Sequence, residues 1–233
     1  WEIRKRVLGA EHRDTLASMN NLASTYRSQG KHAESAALHA QTLEIQKRVL
    51  GAEHPDTLWS MNNLAVAYYS QGKHSEATVL HTQALEIRKR VLGTRHPDTL
   101  TSMTEIGRVL LLQQEFTQAE PVLREALGVR EKKLPDDWQT FNTRSLLGGA
   151  LAGQQKFAEA EPLLVSGYEG MKQREAKMQP SSKVLYLKQA LERLVRLYTD
   201  WGQPEKAAVW QQKLDQHNQA EAQKKSAADP KTK

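Results

Sequence analysis

The amino-acid sequence predicts an all-α protein built as a solenoid of antiparallel helix pairs. Residues 49–90 repeat residues 7–48 with 30 of 42 positions identical, and self-similarity at a fixed period of this size is typical of solenoids. Each copy contains two stretches whose apolar residues recur at three- and four-residue spacing, which indicates two amphipathic helices. A glycine-containing break separates the two stretches in each copy. These observations predict about nine or ten helices and no strands.

Repeat two shows the two helices of the unit most clearly. Helix A is expected to begin at Pro55, because proline needs no N–H partner at the first helical position, and to end at Gly72, because glycine tolerates a left-handed cap. Helix B follows and is expected to end near Gly93. The apolar stripe of helix A consists of Leu58, Met61, Leu64, Ala65 and Tyr68, and that of helix B of Ala77, Leu80, Ala84, Leu85, Ile87 and Val91.

The remaining elements are copies or variants of this pair. Residues 1–6 align with the last turns of helix B, so we expect at least one further repeat upstream. Asp137 is the expected N-cap of helix A in repeat four, whose helix B is expected to run towards Lys177, and Ser181 or Ser182 is expected to cap the next helix. The expected division is a truncated repeat at 1–6, repeats one to four at 7–48, 49–90, 91–133 and 134–179, a capping pair at 180–218, and a disordered tail at 219–233.

The unit resembles the tetratricopeptide repeat, and its length with the connecting LGxxHPDT segment resembles the kinesin light chain type. His81 departs from the large apolar residue usual at its position. The resemblance implies a right-handed superhelix with helix A inside and helix B outside. The lower half of the chain also resembles the repeat region that follows the kinase domain in some bacterial Ser/Thr protein kinases. The residues at the signature spacing are Met61, Leu64, Ala65, Tyr68, Ala77, His81 and Ala84.

Composition excludes several classes of function. The 233 residues contain no cysteine, so disulfides and thiolate metal sites are ruled out. No apolar run reaches membrane-spanning length, and we expect a cytoplasmic protein with neither a signal peptide nor a membrane span. His12, His54 and His96 recur every 42 residues, a separation of neighbouring repeats too large for one zinc ion, so we expect them to cap helix A. No metal and no other cofactor is expected.

Basic clusters recur at the end of each helix B and give the chain much of its net charge of +6. They could form a phosphate-binding stripe for nucleic acid. The favoured interpretation is structural, because cations complement the dipole at a helix C-terminus and no stacking aromatics are interleaved with them. We expect no enzyme activity, because a nucleophile needs an oriented base in a closed pocket. The clusters are Arg4-Lys5-Arg6, Gln46-Lys47-Arg48, Arg88-Lys89-Arg90 and Arg130 to Lys133.

The resemblance implies that helix A lines the concave surface and carries the binding residues. Asn21 and Asn63 match the asparagine ladder with which kinesin light chain-like repeats hold the main chain of an extended peptide. An asparagine offers both a donor and an acceptor, as a peptide backbone requires. The ladder stops after two rungs, since Glu105, Leu146 and Arg193 follow. The predicted peptide-binding residues are Asn20, Asn21, Arg27, Trp59, Asn62, Asn63, Tyr69, Thr104, Glu105 and Arg108.

These features predict a protein–protein interaction module that binds an extended peptide or partner segment, as the non-catalytic arm of a larger signalling protein. Arg27 and Arg108 favour an acidic or phosphorylated ligand. Three alternatives stay open: the asparagine pairs only cap and bridge neighbouring helices, the repeats form a self-associating scaffold through exposed ends, or the basic surface binds nucleic acid. No membrane partner is expected.

Overall fold

The computed structural model describes residues 1–228, without the side chains of residues 181 and 225–228, and this part of the chain is helical without a single strand. The predicted all-α class is confirmed. Residues 1–228 contain eleven α-helices, one more than the upper number expected, because residues 2–8 form a helix of their own. The helices are α1 Glu2–Leu8, α2 Arg13–Ser28, α3 His32–Leu50, α4 Pro55–Ser70, α5 His74–Leu92, α6 Pro97–Leu112, α7 Phe116–Lys133, α8 Trp138–Gly153, α9 Phe157–Gln173, α10 Pro180–Asp200 and α11 Pro204–Ala228.

The chain divides into two compact units between Val109 and Leu110. In the first unit, α2 packs on α3, α3 on α4 and α4 on α5, and α2 also contacts α4 directly. Helices A of neighbouring repeats therefore lie side by side. The core contains Leu58 and Met61 together with Ala65, Ala77 and Ala84, which are fully buried as expected for helices that cross closely.

Histidines start the helices A of the first unit. The imidazole Nδ1 atoms of His12, His54 and His96 accept hydrogen bonds from the backbone N–H two residues later, at 3.1–3.2 Å. This confirms the predicted capping role, and it satisfies one of the donors that a helix start leaves free. Asp137 caps α8 in the same way, accepting from the backbone N–H of Gln139 at 2.9 Å.

The second unit contains α7 to α11, each packed on the next. α8 and α9 lie close together because glycines replace side chains at their contact. A Cβ atom on Gly167 would come within 2.7 Å of the Ser145 backbone nitrogen, and one on Gly170 would overlap the Phe141 ring. These two glycines are therefore packing residues.

The turn between helices A and B needs a left-handed residue in every repeat. Gly30 and Gly72 adopt it with φ of 77° in both cases, as the sequence predicts. In repeats three and four the same place is taken by Gln114 and Gln155, with φ of 61° and 62°. A side chain in this conformation carries a steric cost that glycine avoids.

Three expected boundaries are wrong. α10 begins at Pro180 with Gln179 as its N-cap, rather than after a capping serine, because proline suits the first helical position. α9 ends at Gln173, and a short 3₁₀ turn covers Glu175–Lys177. The segment expected to be disordered from residue 219 continues α11 through Ala228, since Ala, Glu, Gln and Lys favour helix even without a core to pack on. Residues 229–233 of that expectation lie outside the described part of the chain.

Candidate functional site

The predicted peptide-binding residues all lie on α2, α4 and α6 in the first unit, but not all of them reach the surface. Asn21 and Arg27 are exposed and 48% of Trp59 is accessible, whereas Asn62, Asn63, Tyr69, Glu105 and Arg108 are half-buried. We call the surface formed by Asn21, Arg27, Trp59, Asn63, Tyr69, Glu105 and Arg108 the A-helix face. Contact between α2 and α4 brings its first two helices together.

Asn20 and Thr104 are buried, so their assignment as peptide contacts is wrong. Only 1% of Asn20 is accessible, its Nδ2 donates to Ser60 Oγ at 3.0 Å, and its Oδ1 lies 3.0 Å from His39 Nδ1. Thr104 donates its hydroxyl proton to the Leu100 carbonyl within its own helix at 2.9 Å. Both side chains use their polar atoms inside the protein, which leaves none for a ligand.

Asn62 repeats the arrangement of Asn20 one repeat later. Its Oδ1 lies 3.3 Å from Nδ1 of His81, which is buried like His39. The first asparagine of each pair thus bridges helix A to the histidine of helix B. The sequence left open that the asparagine pairs bridge neighbouring helices, but the histidine partners were not identified, although His39 and His81 each follow such an asparagine by 19 residues.

The two buried histidines are neutral at pH 7. Burial lowers the pKa of His39 to about 4, helped by the positive charge of Arg27. Burial also lowers the pKa of His81 to about 4, with Glu105 opposing the shift and Arg108 and Arg88 supporting it. A neutral imidazole is sufficient for each Asn–His pair, because its Nδ1–H tautomer donates to the asparagine oxygen without placing a charge in the interior.

The second asparagine of each pair differs between the two repeats, since Asn21 is exposed whereas the Nδ2 atom of Asn63 is buried. Asn63 is half-buried, and its Nδ2 atom has no hydrogen-bond partner within the described residues. Beside it on α4, the Tyr69 ring lies 4.7 Å from the His74 ring, and burial raises the pKa of its hydroxyl while Arg108 opposes that shift.

The charges of the A-helix face are unevenly balanced. Arg108 is bound by Glu105 through two hydrogen bonds of 2.7 and 3.0 Å to the same carboxylate oxygen, so its positive charge is already compensated. Arg27 is exposed near the other end of the face. The basic helix ends on the opposite helices are also engaged, because Arg48 pairs with Glu11 at 2.6 Å and Arg90 with Glu53 at 2.5 Å.

A cavity of about 530 Å³ opens beside Trp59. Its walls come from α2, the end of α3 and the start of α4, and the residues that line it include the apolar Leu16, Leu50 and Trp59 and the charged Glu11, Arg13 and Asp56. In the part of the chain described by the structure, no three His, Asp or Glu side chains are grouped to hold a metal ion. None of the described helices is both long and apolar enough to cross a membrane.

Comparison with known proteins decides the family. The tetratricopeptide repeat model matches residues 2–48, 14–90 and 78–132, which together cover more than half of the chain. The chain belongs to the tetratricopeptide repeat family. Proteins of this family are in general protein-interaction modules and scaffolds rather than enzymes. No curated protein matches the chain.

Solved structures support the tetratricopeptide repeat assignment. A kinesin light chain-type protein of Podosopora anserina with nearly identical TPR-like repeats is 27% identical, with a TM-score of 0.69 over 91% of this chain and 98% of that one. BtubC (BKLC) of P. vanneervenii shares the fold at 17% identity, with a TM-score of 0.71 over 95% of this chain and 86% of that one. The predicted resemblance to kinesin light chain-like repeats is thereby confirmed.

Proposed function

We propose that the A-helix face binds an extended peptide or an exposed segment of a partner protein. The observation that carries this proposal is the position of Trp59. Trp59 has 48% of its surface accessible and lines a cavity of about 530 Å³, so a large aromatic surface is available at a concave site of the size that ligands occupy. Aromatic residues of this kind commonly dominate the energy of a protein interface.

Asn21 and Asn63 are the proposed main-chain contacts. They lie one repeat apart on α2 and α4, which contact each other. The Nδ2 donor of Asn63 is buried without a hydrogen-bond partner in the described residues, so a rotation of the side chain that brings it to a peptide carbonyl would satisfy a donor that is unpaired in the free protein. Glu105 and Arg108 already form an ion pair, so we assign any preference for an acidic ligand to Arg27.

The experiment replaces Asn63 by Ala, with Asn62→Ala as the matched control one residue away. Against a peptide selected by display on the whole chain, Asn63→Ala should lower the affinity by about 1–3 kcal/mol and leave the melting temperature nearly unchanged. Asn62→Ala should do the reverse, because it leaves buried His81 Nδ1 unpaired. The double variant Asn21→Ala, Asn63→Ala should lose more affinity than either single change.

The opposite pattern would contradict the proposal. If Asn63→Ala lowers the melting temperature sharply and leaves the affinity intact, the second asparagine is a packing residue like the first. The selected peptide must also lose affinity when its own sequence is scrambled, which controls for nonspecific binding to the exposed tryptophan.

A second candidate function is self-association through α1. Helix α1 has no buried residue, and Ile3 is 72% accessible. Sedimentation velocity with and without Ile3→Glu distinguishes the two functions, because only the scaffold requires an oligomer that this change abolishes.

We also propose a role as the non-catalytic arm of a larger signalling protein. The resemblance to kinase-associated repeats supports this role, and finding a kinase domain in the same gene product would test it.

A further inference from the structure

One helix-B position carries an arginine in three repeats and a glutamine in the fourth. At intervals of 42 residues the chain has Arg4, Gln46, Arg88 and Arg130. Arg88 is only 6% accessible, and its guanidinium donates to Ser102 Oγ on the following helix A. Arg4 donates in the same way to Ser18 Oγ, 14 residues further on, and to the Asp14 carbonyl at 3.3 Å. A guanidinium between helix B and the next helix A is therefore a recurring part of this architecture.

An aspartate accompanies this guanidinium. Asp98 is near enough to Arg88 for its charge to favour the charged form of the arginine, against the effect of burial, which lowers its pKa. Asp56 is the equivalent of Asp98 one repeat earlier, and Ser60 is the equivalent of Ser102. The junction between α3 and α4 thus has the serine and the aspartate but no arginine of its own.

Gln46 leaves both space and an unused acceptor at this junction. The cavity of about 530 Å³ lies here, with Gln46, Asp56 and Trp59 among its walls. Only 4% of Gln46 is accessible, and its Oε1 is buried without a hydrogen-bond partner in the described part of the chain. A buried acceptor without a donor is costly, so a guanidinium in the cavity that the Gln46 amide turns to meet would remove that cost.

The aspartate at this junction is weakly engaged. Asp56 lies 3.8 Å from Arg13 Nε, and the Arg13 side chain is 84% accessible. Exposed ion pairs at this separation contribute little, so Asp56 stays available to a better-placed cation. Trp59 adds an aromatic surface on which a planar guanidinium can stack.

We propose that this cavity takes the arginine side chain of a partner protein, which fills the place of the arginine that position 46 lacks. The guanidinium faces the carboxylate of Asp56, lies against Trp59 and donates to Gln46 Oε1 once that amide turns towards the cavity. This inference rests on the proposed function, because it names the anchoring residue of the bound segment. An acidic group near Arg27 and an arginine at this cavity are compatible within one peptide.

The test uses N-acetyl-arginine amide as the probe and N-acetyl-citrulline amide as its uncharged isostere. In ¹H–¹⁵N spectra of the whole chain, the arginine compound should shift the Gln46 side-chain amide and the Trp59 indole N–H in a saturable manner. The citrulline compound should bind at least about tenfold more weakly, since it lacks the charge-assisted hydrogen bonds. Equal shifts with both compounds, or none near Gln46, would overturn the inference.

Two variants make the test specific. Gln46→Arg supplies the missing guanidinium from within the chain, so it should abolish probe binding without lowering the melting temperature. Arg88→Gln should open a second site at the next junction, with new shifts centred on Ser102. Probe binding that survives Gln46→Arg would refute the proposal. If the arginine probe does not bind but the affinity for the selected peptide still depends on Asn63, the arginine site is refuted and the proposed function stands. If the probe binds at Gln46 but the peptide affinity does not depend on Asn63, the proposed main-chain contact is refuted and the arginine site stands.

Discussion

At the residue scale, identical neighbours have different roles because a helix rotates by about 100° per residue. Asn20 and Asn62 turn inwards to buried histidines, while Asn21 faces solvent and Asn63 is half-buried. The sequence predicted asparagines at the right places on helix A, but it could not assign each one. That assignment depends on His39 and His81, which take the place of the apolar Leu123 of repeat three and provide a partner for one asparagine of each pair.

The buried histidines predict that stability falls in mild acid. Their folded-state pKa of about 4 lies below the ordinary value of 6.5, so between pH 6.5 and 4 the unfolded chain binds more protons. Stability is therefore full above pH 6.5 and decreases as the pH falls towards 4, by on the order of 1–3 kcal/mol per histidine. Urea unfolding at a series of pH values measures this.

The matched control copies repeat three into repeat two. The double variant Asn62→Thr, His81→Leu installs the residues found at positions 104 and 123. It should remove about half of the histidine-dependent decrease in the free energy of unfolding between pH 6.5 and 4. An unchanged pH profile in this variant would mean that carboxylates elsewhere in the chain cause the acid sensitivity.

At the element scale, a helix boundary could be predicted wherever a single residue caps or ends the helix. The proline, histidine and aspartate starts of the helices A and the glycine ends of the helices B were predicted from the sequence, because each satisfies or spares a particular backbone group. The continuation of α11 through Ala228 was not predicted. Apolar periodicity reports only helices that bury a face, so a helix that projects polar residues on all sides gives no such signal.

The left-handed glutamines predict a gain in stability on replacement by glycine. Gln114→Gly and Gln155→Gly should each raise the free energy of unfolding by about 1 kcal/mol, because glycine adopts positive φ without the steric cost of a side chain. Gly30→Gln and Gly72→Gln are the reciprocal controls and should lower it by a similar amount. Chemical denaturation of the four variants measures both effects. A lower free energy of unfolding after Gln114→Gly or Gln155→Gly would show that those side chains stabilise the turn.

At the scale of the whole molecule, one repeated helix pair accounts for the fold and for the location of the site. The 42-residue period was sufficient to predict the tetratricopeptide architecture, which the family match and the solved structures confirm. The period could not predict the cavity. That feature arises from departures from the repeat, with Gln46 in place of arginine and Trp59 in place of Ala17 and Thr101. Differences between copies therefore mark the site more specifically than the repeat itself.

The location of the bound partner segment on the A-helix face is tested most directly by a ¹H–¹⁵N chemical-shift map of the chain bound to a display-selected peptide. We expect the largest shifts at the Trp59 indole N–H and the side-chain amides of Asn21 and Asn63. The backbone around Val79, exposed on helix B of the same repeat, should be unaffected. Shifts confined to Val79 and its neighbours on α5, with Trp59 and Asn63 unchanged, would contradict this location.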